Sequence, residues 1–321
     1  MRYQLYFELS DPSQVGEVRR AASAIAADLK FDEVRTGKVA IVISELATNI
    51  IKHAQSGEII LLIRENSMDI LALDKGPGIQ NIDLSFIDGT STTGTSGNGL
   101  GAIKRLSDSY DIFSIPGKGT AVLSTFGRES SISGLSIPLK GEEVCGDSWS
   151  YSENESQLMI MVADGLGHGI LAHGASSLAV ETFEKYRNEN EIDLMNLLHG
   201  SLRSTRGAAI SLARVDYASH TTHYCGVGNI GGVFISPGNT KRAISFSGTA
   251  GVQVRKVQSL SYQSDKDSLV IMFSDGLSSH WNIFDYPGLY FKSPALIAGI
   301  LYRDFTRRND DVTVVVARVK A

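Results

Sequence analysis

Two sets of residues in this 321-residue chain have types and spacings that chemistry can use. The first begins in SELATNIIKHA, Ser44 to Ala54, where Glu45, Asn49 and His53 recur one helical turn apart. They border an apolar stripe of Val39, Ile43, Leu46, Ile50 and Ala54. Downstream come DKGPG (Asp74 to Gly78) after a strand-like run, SGNGLG (Ser96 to Gly101) opening a helix-like run, and GKGT (Gly117 to Thr120) between two strand-like runs. An Asp at a strand end can accept a hydrogen bond from an exocyclic amine, and its glycines allow a turn and close ligand approach. Glycine-rich backbone at a helix start offers N–H groups and a positive dipole end to phosphate. Each motif alone has a plainer reading: a solvated helix face, a Gly-Pro turn, a hairpin turn.

The second set is acidic and sits at strand ends. Asp164 follows LMIMVA, Asp275 follows LVIMFS, Asp310 and Asp311 precede VTVVV, and Asp147 stands in VCGDSW. A single such Asp is ordinarily a turn residue or N-cap. Two Asp-Gly steps after two wholly apolar strands form a natural metal cup, because the sheet fixes its ligands. Crowded carboxylates repel and need divalent cations to stay ionised. Hard cations held that way suit phosphoester hydrolysis.

The elements that must position these residues divide at a seam. GRESSISG, Gly127 to Gly134, is polar, small and aperiodic, and reads as a linker. Before it the order is helix (Asp11 to Leu29), helix (Asp32 to Ala54), two strands, a Gly/Ser/Thr-rich loop, a short helix and two strands. That predicts an α+β layer with helices on one face of a mixed sheet. After it, β-branched or alternating runs dominate, interrupted by LAHGASSLAVETFEKYR and IDLMNLLHGSLRST, with SPALIAGILYRDF late. This predicts two packed sheets covered by helices. No repeat or low-complexity tract interrupts either half.

Composition excludes several classes. At 42% hydrophobic and 20% charged the chain is globular, not disordered. A net charge of -5 gives no support for nucleic-acid or anionic-membrane partners. No run approaches a membrane span, and the first residues carry no signal-peptide pattern, so a cytoplasmic location is expected. Cys145 and Cys225 lack finger spacing and read as buried free thiols in strand-like segments.

Taken in order, Glu45-x3-Asn49, DxGxG, a flexible loop into GxGLG, and GxGT resemble the GHKL ATPase/kinase superfamily. The likeness is to RsbT-type switch kinases and their anti-sigma-factor kinase relatives, over residues 5–126. The resemblance implies a Bergerat-type ATP-binding α/β sandwich in residues 1–127. In it Asn49 would hold the Mg²⁺ bridging the ATP phosphates, and Glu45 would orient or deprotonate the attacking hydroxyl. Asp74 would read the adenine amino group, with Gly76, Gly78 and Thr120 beside it. Gly97, Gly99, Leu100 and Gly101 would cradle phosphates, and residues 88–96 would form a lid. Lys52 and His53 are left between a phosphate contact and a surface role. Ala102 is small where relatives carry a larger residue.

GD…ADGxGHG…GxGN…SDGL…NDDVT resembles the metal-dependent protein Ser/Thr phosphatases of the protein phosphatase 2C-like superfamily. Within it the SpoIIE-type and RsbX-type bacterial branch fits best, over residues 135–320, past a 128–134 linker. A PPM-type αββα sandwich over 135–321 is implied. Asp164 would bridge two Mn²⁺ or Mg²⁺ ions with the Gly165 carbonyl as a further ligand. Asp275 and Asp310 would hold the second ion, and Asp147 would reach the first through water. Asp311 ranks behind Asp310, and His168 is open between a functional and a structural role. Gly226, Gly228 and Asn229 would form a turn near the metals, and no Arg stands out as a phosphate anchor. Together the two resemblances imply a kinase and a phosphatase acting on a STAS-domain, anti-sigma-factor-antagonist type of partner, with a homodimer among the family's options. The alternative is a phosphatase whose first domain only binds ATP or a partner as a regulatory module.

Overall fold

GEIILLI and MDILALD are apolar on both of their faces, so each needs cover on two sides. That requirement shapes the first half of the molecule. The computed structural model describes residues 3–82 and 99–320. It divides into two compact units: Met1–Ser130 with Ile283–Arg303, and Ser131–Asn282 with Asp304–Ala321.

In the first unit the order is β1 (Tyr3–Leu9), α1 (Gln14–Asp28), α2 (Glu33–Asn49), β2 (Gly57–Ile63), β3 (Met68–Asp74), α3 (Gly99–Leu106), β4 (Ser109–Ile115) and β5 (Gly119–Phe126). The strands form one sheet, β1-β2-β3-β5-β4. Every pairing in it is antiparallel, not mixed as expected, because hairpins join β2 to β3 and β4 to β5. β1 was not anticipated: Tyr6, opposite Leu5 and Phe7, blurs its alternation, yet it pairs with β2 along its whole length. Asp32 starts α2 by accepting the Arg35 N–H at 2.7 Å. Ile43, Leu46 and Ala47 of α2 and Ala22 and Ile25 of α1 pack on Ile59, Leu61, Ile70 and Ala72. After Asn49 the helix widens into a π turn, Ile50–Ala54, which carries Lys52 and His53.

The second unit holds β6 (Ile132–Ile137), β7 (Asp147–Glu153), β8 (Gln157–Gly165), α4 (Ile170–Lys185), α5 (Glu191–Ser201), β9 (Ala208–Asp216), β10 (Thr221–Val227), β11 (Gly231–Ser236), β12 (Asn239–Arg242), the short pair β13 (Gly248–Thr249) and β14 (Gln253–Val254), β15 (Leu260–Gln263), β16 (Leu269–Phe273) and β17 (Val312–Arg318). Two five-stranded sheets result, β15-β10-β9-β8-β7 and β12-β11-β16-β17-β6. β8 shows how its sequence serves two cores. Leu158, Ile160 and Val162 meet Val270, Met272 and Val315 of the other sheet. Met159, Met161 and Ala163 lie under Ala179 and Phe183 of α4 and Leu194 and Leu198 of α5. β6 starts at Ile132, inside the stretch read as linker. Its small Gly134 admits the Trp149 ring, and β17 supplies the pairing that the residue types alone do not suggest.

Residues 283–303 group with the first unit and contain most of α6 (Pro294–Phe305). They lie on the sheet face that α1 and α2 leave open. Gly299 approaches Leu71 and Leu73, and Tyr286 packs against Phe113 with ring centroids 6.2 Å apart. Asp111 accepts from Lys292 Nζ at 3.0 Å and from the Ser293 N–H at 2.8 Å. Leu71, Leu73, Ile60 and Leu62 are thereby buried. Among the described residues no helix is long and apolar enough to cross a membrane. Cys225 is buried in β10, whereas Cys145 is half-buried in the irregular stretch before β7 and not in a strand as expected.

Candidate active sites

In the first unit α2 carries Glu45 and Asn49 to the start of α3. A methyl group in place of a Gly99 hydrogen would lie 3.0 Å from Glu45 Oε2 and 3.5 Å from Asn49 Nδ2. The helix start with its N–H groups therefore adjoins a carboxylate and an amide. Leu100 and Gly101 continue α3, with Gly101 buried. Gly97 and the expected lid, 88–96, lie outside the described residues.

Asp74 ends β3, and the chain around it is tightly laced. Its Oδ1 accepts from the Gly76 N–H at 2.8 Å and the Thr120 N–H at 3.2 Å. Its backbone carbonyl accepts from Arg303 Nη1 at 3.1 Å. Gly119 (φ +97°) makes room for that carbonyl, which a Cβ there would meet at 2.0 Å. Ser114 ties the turns together, with its Oγ accepting from the Ile79 N–H at 2.9 Å and pairing with Thr120 Oγ1 at 2.9 Å. Gly76 packs on Ala54, so the DKGPG turn abuts the π turn that ends α2, and Gly78 packs on the Ile115 carbonyl. Burial pushes the Asp74 carboxyl above the usual range, partly offset by its hydrogen bonds and by the charges of Arg303 and His53.

In the second unit five acids meet where strands end. Asp147 and Asp164 stand opposite each other across β7 and β8. Asp275 follows β16 and Asp310 and Asp311 precede its neighbour β17, so the pairing of Phe273 with Val314 brings those ends together. Gly276 is required there, since a Cβ would meet the Asp311 carbonyl at 2.0 Å. Ser274 Oγ donates to Asp147 Oδ2 at 2.6 Å and accepts from the Thr313 N–H at 2.9 Å, joining the two sheets. Asn229 Nδ2 donates to Asp275 Oδ2 at 2.6 Å, which gives the GxGN turn a direct role beside the acids.

Burial first, then repulsion from Asp147, Asp275, Asp310 and Asp311, pushes Asp164 up to about 9. Asp147, buried and beside Asp311 and Asp310, is pushed up to about 7 despite its bond from Ser274. Burial and Asp310 also raise Asp275, with Arg307 opposing. Asp311 is buried; its Oδ1 accepts from the Leu139 N–H at 2.8 Å, and its Oδ2 has no partner among the described residues. Crowded, buried carboxyls that disfavour one another's charge, with one buried oxygen unsatisfied, fit divalent cations. Among the described residues no three His, Cys, Asp or Glu side chains already converge on a single ion position. His168 is at the exposed rim, its Nδ1 2.6 Å from Glu142 Oε1.

Reading the sequence did not single out Ser274, Arg303 or Arg307. Ser274 stands directly before Asp275, and a hydroxyl beside a strand-end acid was the available signal. Arg303 had none, because its partner is Asp74.

Comparison with known proteins follows the same division. The histidine kinase-like ATPase domain family matches residues 9–126, and the Stage II sporulation protein E (SpoIIE) family matches residues 154–320. Serine/threonine-protein kinase RsbT of Bacillus subtilis is 36% identical over 108 residues, 32% of this chain and 81% of that protein. Phosphoserine phosphatase RsbX of Bacillus subtilis is 27% identical over 183 residues, 56% of this chain and 90% of that protein. A crystal structure of RsbX in complex with magnesium is 25% identical with a TM-score of 0.52, covering 59% of this chain and 94% of that one. The chain belongs to the SpoIIE family, its protein phosphatase 2C-type domain preceded by an RsbT-like histidine kinase-like ATPase domain.

Proposed function

We propose that this chain is a two-way switch. Its first unit phosphorylates, and its second dephosphorylates, a Ser or Thr on a STAS-domain partner of the anti-sigma-factor-antagonist type. The observation that carries the kinase half is the meeting of Glu45, Asn49 and the start of α3. A carboxylate at that point can orient an attacking hydroxyl, which favours transfer chemistry over nucleotide binding alone. Asn49 supplies a neutral hard oxygen for Mg²⁺ beside the triphosphate, and Gly99 and Gly101 present backbone to phosphate. Asp74 Oδ1 is committed to Gly76 and Thr120, and Oδ2 accepts nothing from the described residues, which leaves it for the adenine amino group. Glu45 receives or orients the acceptor hydroxyl.

In the second unit Asp147, Asp164, Asp275 and Asp310, with the Gly165 carbonyl, are the groups that would hold two Mn²⁺ or Mg²⁺ ions. Such ions, when bound, supply Lewis acidity toward phosphoryl oxygens and acidify water. The chain's own contribution is to keep the acids in place: Ser274 holds Asp147, and Asn229 holds Asp275. The names of the two Bacillus subtilis relatives, a Ser/Thr kinase and a phosphoserine phosphatase, support opposite directions in one chain.

The test uses the full chain, a STAS-domain protein, labelled ATP and Mg²⁺. Asp164→Ala is expected to let phosphopartner accumulate, and Glu45→Ala on that background to abolish labelling. Absence of labelling by Asp164→Ala would leave the first domain a regulatory module. Failure of the wild type to release phosphate from the labelled partner with Mn²⁺ or Mg²⁺ would refute the phosphatase half.

A further inference from the structure

The structure assigns a positioning role in the nucleotide site to Arg303, a residue far along the chain from every motif of that site. The inference rests on the reading of Asp74 as the group that recognises the adenine amine. Arg303 is 4% exposed and reaches Asp74 from the sheet face opposite α1 and α2. Its Nη1 donates to the Asp74 carbonyl at the point where β3 ends and the Lys75–Gly78 turn begins. That bond fixes the peptide plane between Asp74 and Lys75. The next peptide along, Lys75–Gly76, carries the Gly76 N–H, one of two donors that aim the Asp74 carboxylate, so the anchored plane is the start of the turn that places this donor. Gly119 lies close against the same carbonyl, which leaves it little room to turn while Arg303 holds it.

The rest of the segment makes the anchor rigid. Lys292 and the Ser293 N–H grip Asp111 on β4, and Gly299 seats α6 on Leu71 and Leu73 of β3 itself. A buried guanidinium is costly to desolvate and must be met by acceptors, and the Asp74 carbonyl is one of them, so a cationic donor stands at the end of β3. Residues 283–303 thereby complete a ligand site whose other residues all lie between 45 and 120. Arg303 touches no reacting atom; it acts through Asp74.

The experiment measures equilibrium binding of ATP and of inosine triphosphate, which carries an oxygen in place of the adenine amino group, to the full-length chain. Wild type is expected to prefer ATP. Arg303→Met is expected to weaken ATP about tenfold while changing inosine triphosphate less than about twofold, so that the preference collapses. Arg303→Lys, which keeps a cationic donor, is expected to recover part of the preference. Lys292→Met removes one of the segment's grips while the Ser293 N–H and Gly299 still seat it and Arg303 still holds the Asp74 carbonyl, and is expected to keep most of the preference. Should Arg303→Met fail to fold, Arg303→Gln reads the same ratio with a neutral side chain. A folded Arg303→Met or Arg303→Gln that retains the wild-type preference overturns the positioning role, even if it melts earlier. Wild type that binds ATP and inosine triphosphate equally would instead refute the reading of Asp74, and no ATP binding at all would refute the nucleotide site.

Discussion

Asp164→Asn separates the stability of the acidic cup from its use. An Asp that ordinarily titrates at 3.8 but is pushed up to about 9 folds with a proton that the unfolded chain lacks at neutral pH. The raised value means that native stability from this group is complete below pH 3.8 and is lost progressively as pH rises toward about 9. At pH 7.5 the loss amounts to at most about 5 kcal/mol, from 1.36 kcal/mol per pH unit between 3.8 and 7.5. An amide cannot ionise and escapes that cost, but it buries polar atoms without partners, at roughly 1–3 kcal/mol. The net expectation is a gain of about 2 kcal/mol, or about 4–8 °C in Tm, for the variant in chelator at pH 7.5. Calorimetry of both proteins with EDTA, and again with Mn²⁺, checks it. Wild type should gain strongly from the metal and the variant little, so their order reverses. The variant's advantage in chelator should shrink as pH is lowered and reverse by pH 4, where the carboxyl no longer loses stability and only the burial of the amide remains. A variant that melts below wild type in chelator and gains as much from Mn²⁺ would refute both the repulsion and the placement of a metal at Asp164.

Further outcomes follow from other contacts. Ser274→Ala removes the donor to Asp147 and the acceptor of the Thr313 N–H, and should weaken Mn²⁺ binding about tenfold in a metal titration while Mn²⁺-saturated activity largely returns. Gly299→Val drives a branched side chain into Leu71 and Leu73 and should destabilise the first unit by about 1–3 kcal/mol in denaturant unfolding. Asp69→Ala strips Arg64 and Thr125 of a buried carboxylate and should cost about 3–5 kcal/mol, with unchanged stability refuting the network.

The acids of the second unit were legible because the physics that places them is local. A strand alternating between two cores, such as LMIMVAD, must end somewhere, and the residue at its end is fixed in space by everything before it. Asp164 and Asp275 could therefore be read from apolar run and carboxylate alone. The same holds for Glu45 and Asn49, whose spacing is a property of one helix, whereas the π turn that follows them at Ile50–Ala54 had no signal in the residue types. β1 and β6 were illegible for the converse reason. Ile132–Ile137 is a strand because β17 lies beside it, and neither Ser133 nor Gly134 announces that partner.

Residues 283–303 sharpen the point, because half of their message was present. IILLI and ILAL, apolar on both faces, stated that the first sheet needed a second cover, and α1 and α2 could supply only one. SPALIAGILYRDF, apolar all round, stated that a late helix needed burial on more than one side. Each is an unmet demand, and the two demands satisfy one another in Gly299 against Leu71 and Leu73. Counting faces that need cover against elements able to cover them would have paired the two segments across more than 200 residues of sequence. Arg303 then follows from the register of α6: with Gly299 on β3, the residue one turn later reaches the strand's last carbonyl, that of Asp74.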